Sequence, residues 1–330
     1  MQLDMVAVGD AIVDSMAFCE EAFLREQEIS KGAMHLIDAE RAAFLYTKMH
    51  APVESAGGSA ANSAVVVANL GGRVAFMGKV ADDPLGARFA TSLHSAGVAY
   101  DTPALKDGPP TAQSLIFITP DGERSMNTYL GACLEFAPRD IDFSLIDTCK
   151  ILYFEGYLWD PPNAKDALRQ AAKAVRAKGR HVALSLSHSF CVDRYRSEFL
   201  ELIQSGLVDI VFANREELLA LYETADMSMA LRLLQKQVVG FASVTDAEQG
   251  ATIVDRTEII KVDALPVNRV VDGTGAGDNY AAGFLYAYAR GHALAHCGRL
   301  GAFCASYIIQ QVGARPKVDL RALAKDAGLL

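Results

Sequence analysis

The stretch VVDGTGAGDNYAAGF, residues 270–284, combines small residues with one carboxylate. Gly273, Gly275, Ala276 and Gly277 surround Thr274 and lead into Asp278, and a long apolar run without proline follows. Glycines let a backbone approach a ligand closely. The apolar run predicts a helix, whose first amides lack intrahelical partners and whose dipole favours an anion. Together these features point to an anion site, most often for phosphate. The stretch is not a GxxxxGK[ST] loop, because no Lys-Ser/Thr pair follows the glycines. Nor is it GxGxxG, because Tyr280 stands at the third glycine and the stretch lies late in the chain. Two roles are open to Asp278. It caps the helix, or it takes a proton from an attacking hydroxyl while the amides hold a transferring phosphoryl group.

The surrounding chain must position this loop. Short apolar runs such as MVAVGD, RVAFMGKV, KILYFEG, HVALSLS, VDIVFAN, GFASVTD and GATIVD read as strands. They alternate with helical patterns: SAANSAVVVANLG, PLGARFATSLHSAG, PNAKDALRQAAKAVRAKG, YRSEFLELIQSG, REELLALYE, NYAAGFLYAYARG and LGAFCASYIIQQVG. That alternation predicts an α/β fold in three layers, a mostly parallel central sheet with helices on both faces. Residues 1–330 read as one such domain. Two regions break the rhythm, about 15–54 and about 108–130. The second reads as a hairpin turning at Pro120-Asp121-Gly122. They predict a small β-rich lid.

Composition narrows the class. The 330 residues are 51% hydrophobic and 22% charged, with a net charge of −9. Basic residues are scattered, so a nucleic-acid partner is not expected. The start, MQLDMVAVGD, does not read as a signal peptide, and no run reaches the roughly 20 apolar residues of a membrane span. The six cysteines show no CxxC pair, which suits reduced thiols in the cytoplasm. His292, His296 and Cys297 read as a packed helix end rather than a metal site.

The loop resembles the C-terminal D-T-x-G-A-G-D signature of the ribokinase-like, phosphofructokinase-B type carbohydrate kinases. AGGSAANSAVVVANLGGRVAFMGKVADDPLG resembles a second signature of that family, and NREE its N-x-x-E element. The likeness runs from VAVGDAIVD to GARP, and LSLSHSFCVDRYRSEFLELIQSGLVDIVFANREE and GAFCASYIIQQVGARP are most similar to adenosine kinases. Gly273, Asn279 and Tyr280 depart from the family pattern. So does Ala247, which replaces the first glycine of T-x-G-x-x-G. Asp10 stands where adenosine kinases usually carry Asn.

The resemblance implies a ribokinase-like fold and an ATP-dependent kinase acting on the 5′-hydroxyl of a ribonucleoside, adenosine first. A kinase for a free sugar such as ribose or fructose is the alternative, and a non-catalytic nucleotide-binding regulator a more distant one. Asp278 becomes the base, with Gly275, Ala276 and Gly277 as the anion hole. Asp10, Asp14, Gly57, Gly58, Ser59, Asn62 and Glu155 are expected at the acceptor, and Asn214, Thr245, Gly250, Thr274, Gly275 and Gly277 at the nucleotide. Asn214 and Glu217 would organise Mg²⁺ through waters, although NREE also reads as a capped helix start. K⁺ is a further candidate cation. Arg124, in the hairpin, either reaches phosphate or is simply exposed. Phe154, Tyr157 and Trp159 read as core. An inserted lid can pair with another copy, which makes a homodimer the expected assembly if the chain oligomerises.

Overall fold

A computed structural model describes residues 2–330. Its strands are β1 (Leu3–Val8), β2 (Ile12–Phe18), β3 (Met34–Leu36), β4 (Val53–Ala56), β5 (Val74–Met77), β6 (Ala112–Ile118), β7 (Arg124–Tyr129), β8 (Cys149–Glu155), β9 (His181–Ser185), β10 (Ile210–Asn214), β11 (Phe241–Thr245), β12 (Ala251–Asp255) and β13 (Ile259–Val262). The helices are α1 (Glu21–Glu26), α2 (Ala39–Thr47), α3 (Ser59–Asn69), α4 (Pro84–Ser95), α5 (Phe143–Ile146), α6 (Pro162–Arg176), α7 (Ser189–Gln204), α8 (Arg215–Leu221), α9 (Met227–Gln237), α10 (Ala276–Tyr288), α11 (Leu294–Ile308) and α12 (Leu320–Asp326).

Among the described residues the strands form two sheets. The large one has the order β13-β12-β11-β10-β9-β8-β1-β5 and is parallel from β5 to β11, with β12 and β13 antiparallel at one edge. Side chains alternate across a strand, so each strand feeds two cores. In β1, Met5 and Ala7 join α3, α10 and α11, while Val6 and Val8 face α6. Helix α6 meets that second core with Ala164, Ala167, Leu168, Ala171, Ala172 and Val175, a stripe at helical spacing that is fully buried. Truncating Leu168 to Ala would cost about 2–5 kcal/mol.

The second sheet, β3-β7-β6-β2-β4, is the lid. It spans the two regions that broke the α/β rhythm. Helices α1 and α2 cover one face and give it a core of its own, in which Leu24 and Leu45 pack with Leu115 and Phe117. Its other face turns Met34, Ser114, Met126 and Thr128 toward the large sheet.

Two local features differ from the sequence expectation. The helix expected to begin at Tyr195 begins at Ser189, and the two pieces meet at a kink where Tyr195 has φ −126° and ψ 21°. Residues α9, β13 and α12 add elements that the sequence reading passed over.

Candidate active site

Ligands of open α/β sheets bind beyond the carboxyl ends of the strands. Here β1, β8, β10 and β11 end at Asp10, Glu155, Asn214 and Thr245, and the lid lies over them with Asp14 on β2. Two cavities share this space. One, of about 330 Å³, is bounded by residues 273–278, Asn214, Glu217, Ser243 and Thr245. The other, of about 200 Å³, is bounded by Asp10, Glu155, Phe190 and the lid. Asp14, Gly58, Ser59, Met126 and Tyr157 border both.

The small-residue loop opens α10. Gly275 has φ 79°, and a Cβ there would lie 2.5 Å from that of Ala314, so only glycine fits. No atom crowds the Cα of Gly273 or Gly277, which leaves their backbone open to the cavity. Nothing in the structure requires glycine at 273. Asp272 braces the loop. Its Oδ1 accepts from the Thr274 amide (3.0 Å) and hydroxyl (2.7 Å), and its Oδ2 from the Gly313 amide (2.8 Å). Arg124 of the lid pairs with the same carboxylate at 2.7 Å, so it is tied to the loop rather than exposed.

Asp278 lies in the first turn of α10, partly open to the cavity yet removed from bulk solvent. Its Oδ1 accepts from Ser59 Oγ (2.6 Å), its Oδ2 from Asn62 Nδ2 (3.0 Å), and its carbonyl from Ser63 Oγ (3.0 Å). The start of α3 therefore faces the start of α10. Burial pushes the Asp278 carboxyl above its ordinary value, and the bonds from Ser59 and Asn62 and the charge of Arg315 hold it back. Asn62, expected at the acceptor, has both ends of its amide engaged, on Asp278 and on Arg315 Nε (3.0 Å). Through those bonds it links the Asp278 carboxylate to Arg315.

Asp14 borders both cavities, and burial pushes its carboxyl up to about 6, against the pull of Arg315 and Arg124. Gly57 lies beneath it, where a Cβ would meet the carboxylate at 2.5 Å, and Gly58 (φ 89°) leaves no room for a Cβ beside the Asp10 carbonyl. Glu155 is fully buried, and its two oxygens accept from the amides of Asp10 and Ala60. It ties β1 to α3 beneath the cavity. Burial pushes the Asp10 and Glu155 carboxyls up, helped by the charge of Asp160 on Asp10 and of Asp10 on Glu155.

Asn214 and Glu217 form a reciprocal cap of α8. Asn214 Oδ1 accepts from the Glu217 amide, and both Glu217 oxygens accept from Asn214. Burial raises the Glu217 carboxyl to about 7. These are hard oxygen donors, the kind Mg²⁺ selects, but with Glu217 committed to the cap they suit the ion only through waters. Among the described residues no group of three or more His, Cys, Asp or Glu is gathered to hold a metal directly.

Thr245 and Thr274 border the cavity around residues 273–278, but Gly250 does not. It packs against the Val262 carbonyl in the turn before β12. In that turn Ala247 holds φ 45°, a conformation that favours glycine. Tyr157, expected in the core, lines both cavities, whereas Phe154 and Trp159 are buried and stacked.

Residues 34–320 match the pfkB family carbohydrate kinase domain. The chain belongs to that family. Over 99% of its length it is similar to the adenosine kinase structure from Sinorhizobium meliloti, with 53% identity, TM-score 0.94 and all of that chain covered. It is similar end to end to the structure of a probable sugar kinase protein from Rhizobium etli CFN 42, with 50% identity and TM-score 0.95. Among curated proteins it is 27% identical to a nucleoside kinase of Methanothermobacter thermautotrophicus, over 79% of this chain and 81% of that one. As a pfkB kinase the chain is a phosphotransferase acting on a hydroxyl group, in a family whose members use ATP and phosphorylate sugars or nucleosides. No described helix is long and apolar enough to cross a membrane.

The departures from the pfkB pattern now have contacts. Asn279 Nδ2 donates to the carbonyls of Gly275 (2.8 Å) and Ala314 (2.9 Å), pinning the loop to the 313–315 turn, while its Oδ1 is buried with no partner among the described residues. Tyr280 Oη bonds Ser243 Oγ at 2.8 Å. Arg315 escaped the sequence reading. It reaches Asn62, Ser92 Oγ (2.8 Å) and the Gly57 carbonyl (3.1 Å), between Asp14 and Asp278. Burial lowers its guanidinium to about 10, and the two carboxylates restore part of that. Only the end of the family likeness, at GARP, marked its segment.

Proposed function

We propose that this chain transfers the γ-phosphoryl group of ATP to the 5′-hydroxyl of a ribonucleoside, with adenosine the favoured acceptor. The observation that carries the reading is the placement of Asp278. It sits at the head of the Gly275–Gly277 amides, with the cavity around the anion loop on one side and Ser59, shared with the acceptor cavity, bonded to it.

A loose phosphoryl transition state needs alignment and charge stabilisation more than a strong base. The α10 amides supply donors for the phosphoryl oxygens without reorganising. Asp278 Oδ1 and Oδ2 are held by Ser59 and Asn62, so the carboxylate is aimed before substrate arrives. Its raised pKa suits it to accept the hydroxyl proton as the bond to phosphorus forms. Arg124 and Arg315 add positive charge near the transferring group. Asn214 and Glu217 would hold Mg²⁺ through its waters, and the ion, when bound with ATP, neutralises phosphate charge. The lid excludes water, which would otherwise compete as acceptor.

The walls of the acceptor cavity support a nucleoside over a free sugar. Ile12, Leu36, Leu130, Phe190 and Tyr195 offer an apolar and aromatic lining that a hexose or pentose alone would not use. The free-sugar reading rests on Asp10, Asp14 and Glu155, an acidic floor suited to hydroxyl donors. Measuring ADP release with Mg²⁺-ATP against adenosine, inosine, guanosine, ribose and fructose separates the two. Adenosine is expected to give the highest kcat/KM. Turnover of a free sugar with none of any nucleoside would overturn the reading.

A further inference from the structure

The acceptor cavity carries several polar groups that the transfer reaction does not use, among them Ser114, Thr128, His188 and Asp160. Asp160 follows the short turn after β8 and borders the acceptor cavity but not the cavity around the anion loop. Its Oδ1 accepts from Arg194 Nη2 at 2.8 Å and from the Tyr195 hydroxyl. The Arg194 guanidinium lies over the rings of Phe190 (5.2 Å) and Tyr195 (5.3 Å), so it is held by two faces as well as by the carboxylate. The kink at Tyr195 sets this first turn of α7 at the cavity wall. Asp160 Oδ2 has no donor among the described residues, which leaves an acceptor without a protein partner beside Phe190, Arg194 and Tyr195.

A ribonucleoside bound with its sugar at Asp14 and Ser59 would have Leu36, Phe190, Tyr195 and Asp160 as the further walls of the same cavity. We propose that Asp160 Oδ2 accepts a hydrogen bond from the exocyclic amino group of a 6-amino purine and so selects adenosine over 6-oxo purine nucleosides. The assignment rests on the nucleoside-kinase reading above. An ionised carboxylate can only accept, so it pairs with an amino group and opposes a carbonyl at the same base position. Arg194 Nη2 and the Tyr195 hydroxyl both meet Oδ1, which leaves Oδ2 as the oxygen without a donor.

Asp160→Asn tests this directly. With Arg194 and Tyr195 still donating to its carbonyl oxygen, the new amide must turn its NH₂ to the cavity, replacing an acceptor by a donor. The ratio of kcat/KM for adenosine over inosine is expected to fall about 100-fold, mainly through KM, as a hydrogen bond to a charged group implies. A ratio unchanged within about 2-fold would overturn the assignment. If the variant turns over neither nucleoside, calorimetric dissociation constants for adenosine and inosine read the same ratio. The wild-type protein gives an independent reading: purine riboside, which lacks the amino group, is expected to show a KM about 10-fold above that of adenosine, and equal values would sink the idea. Wild-type turnover of free sugars but of no nucleoside would remove the nucleoside reading and this assignment together. Good adenosine turnover with an unchanged ratio in Asp160→Asn would remove the Asp160 assignment alone.

Discussion

The two ends of the site are built in opposite ways. At the phosphate end the chain runs continuously from Asp272 to Asp278, and both carboxylates are fully engaged, by Thr274, Gly313 and Arg124 in one case and by Ser59 and Asn62 in the other. The acceptor end is gathered from distant segments: Asp10 and Asp14, Leu36, Met126 and Leu130, Glu155 and Asp160, and residues 188–195. Phosphate is the same in every donor nucleotide, so backbone amides at a helix start suffice to hold it. An acceptor must be told from its analogues, which takes side chains converging from several elements. On the proposed reading, the end assigned to the chemistry is local and braced, and the end assigned to choosing the acceptor is dispersed.

Four substitutions probe that division. The largest effect belongs to Asp278→Asn, which keeps the bonds to Ser59 or Asn62 at one oxygen but cannot take a proton. Its kcat is expected to fall about 10³-fold with ATP affinity retained, as steady-state kinetics and nucleotide titration would show. A near-normal kcat would make Asp278 only the first-turn acid of α10.

At the acceptor end the effect is smaller and falls on binding. Asp14→Asn is expected to raise the acceptor KM about 10-fold and to leave the KM for ATP within about 2-fold. The wild-type Asp14 carboxyl titrates near 6. Below that pH it is protonated and loses acceptor capacity, so kcat/KM for the acceptor should fall as pH drops through about 6, and Asp14→Asn should remove that limb. An equal rise in both KM values would mean that the two ends are not separable.

Glu217 gives a stability readout. Its carboxyl goes from 4.5 to about 7 on folding, so the folded chain holds that proton more tightly than the unfolded one. Its contribution is present at low pH and is lost as pH rises through about 7. Glu217→Gln keeps an acceptor for Asn214 and should flatten the decline of Tm between about pH 5 and 8. An unchanged slope would place that proton elsewhere. The smallest effect is expected from Ala247→Gly. Relieving the positive φ should raise stability by no more than about 1 kcal/mol in a urea melt, with kinetics little changed.

The fold, and the loop proposed to hold phosphate, were readable in the sequence for a physical reason. Alternating apolar strands and amphipathic helices carry their layers in their own periodicity, and glycines ahead of an apolar helix carry an anion site in a few consecutive residues. The lid was readable as the regions where that periodicity fails. Arg315 was not, because what makes it important is its bond to Asn62, 253 residues away, and the pull of its charge on two carboxylates from separate elements. The first turn of α7 was missed because only Cys191 and Val192 of SFCVDR enter the core while Phe190 and Arg194 line the cavity, a pair too short to show the helical apolar period that marks YRSEFLELIQ. The bonds of Asn62 to Asp278 and Arg315, and of Glu155 to the Asp10 and Ala60 amides, could not be read from the sequence, since a side chain's neighbour is fixed by packing and not by its own type.

The central claim is that one continuous site moves a phosphoryl group from ATP to a ribonucleoside hydroxyl. Phosphorus NMR of a reaction containing the protein, Mg²⁺-ATP and adenosine tests it most directly. The account predicts a single new 5′-monophosphate resonance growing in step with ADP. ADP accompanied only by inorganic phosphate, or no product from adenosine while a free sugar is phosphorylated, would contradict it.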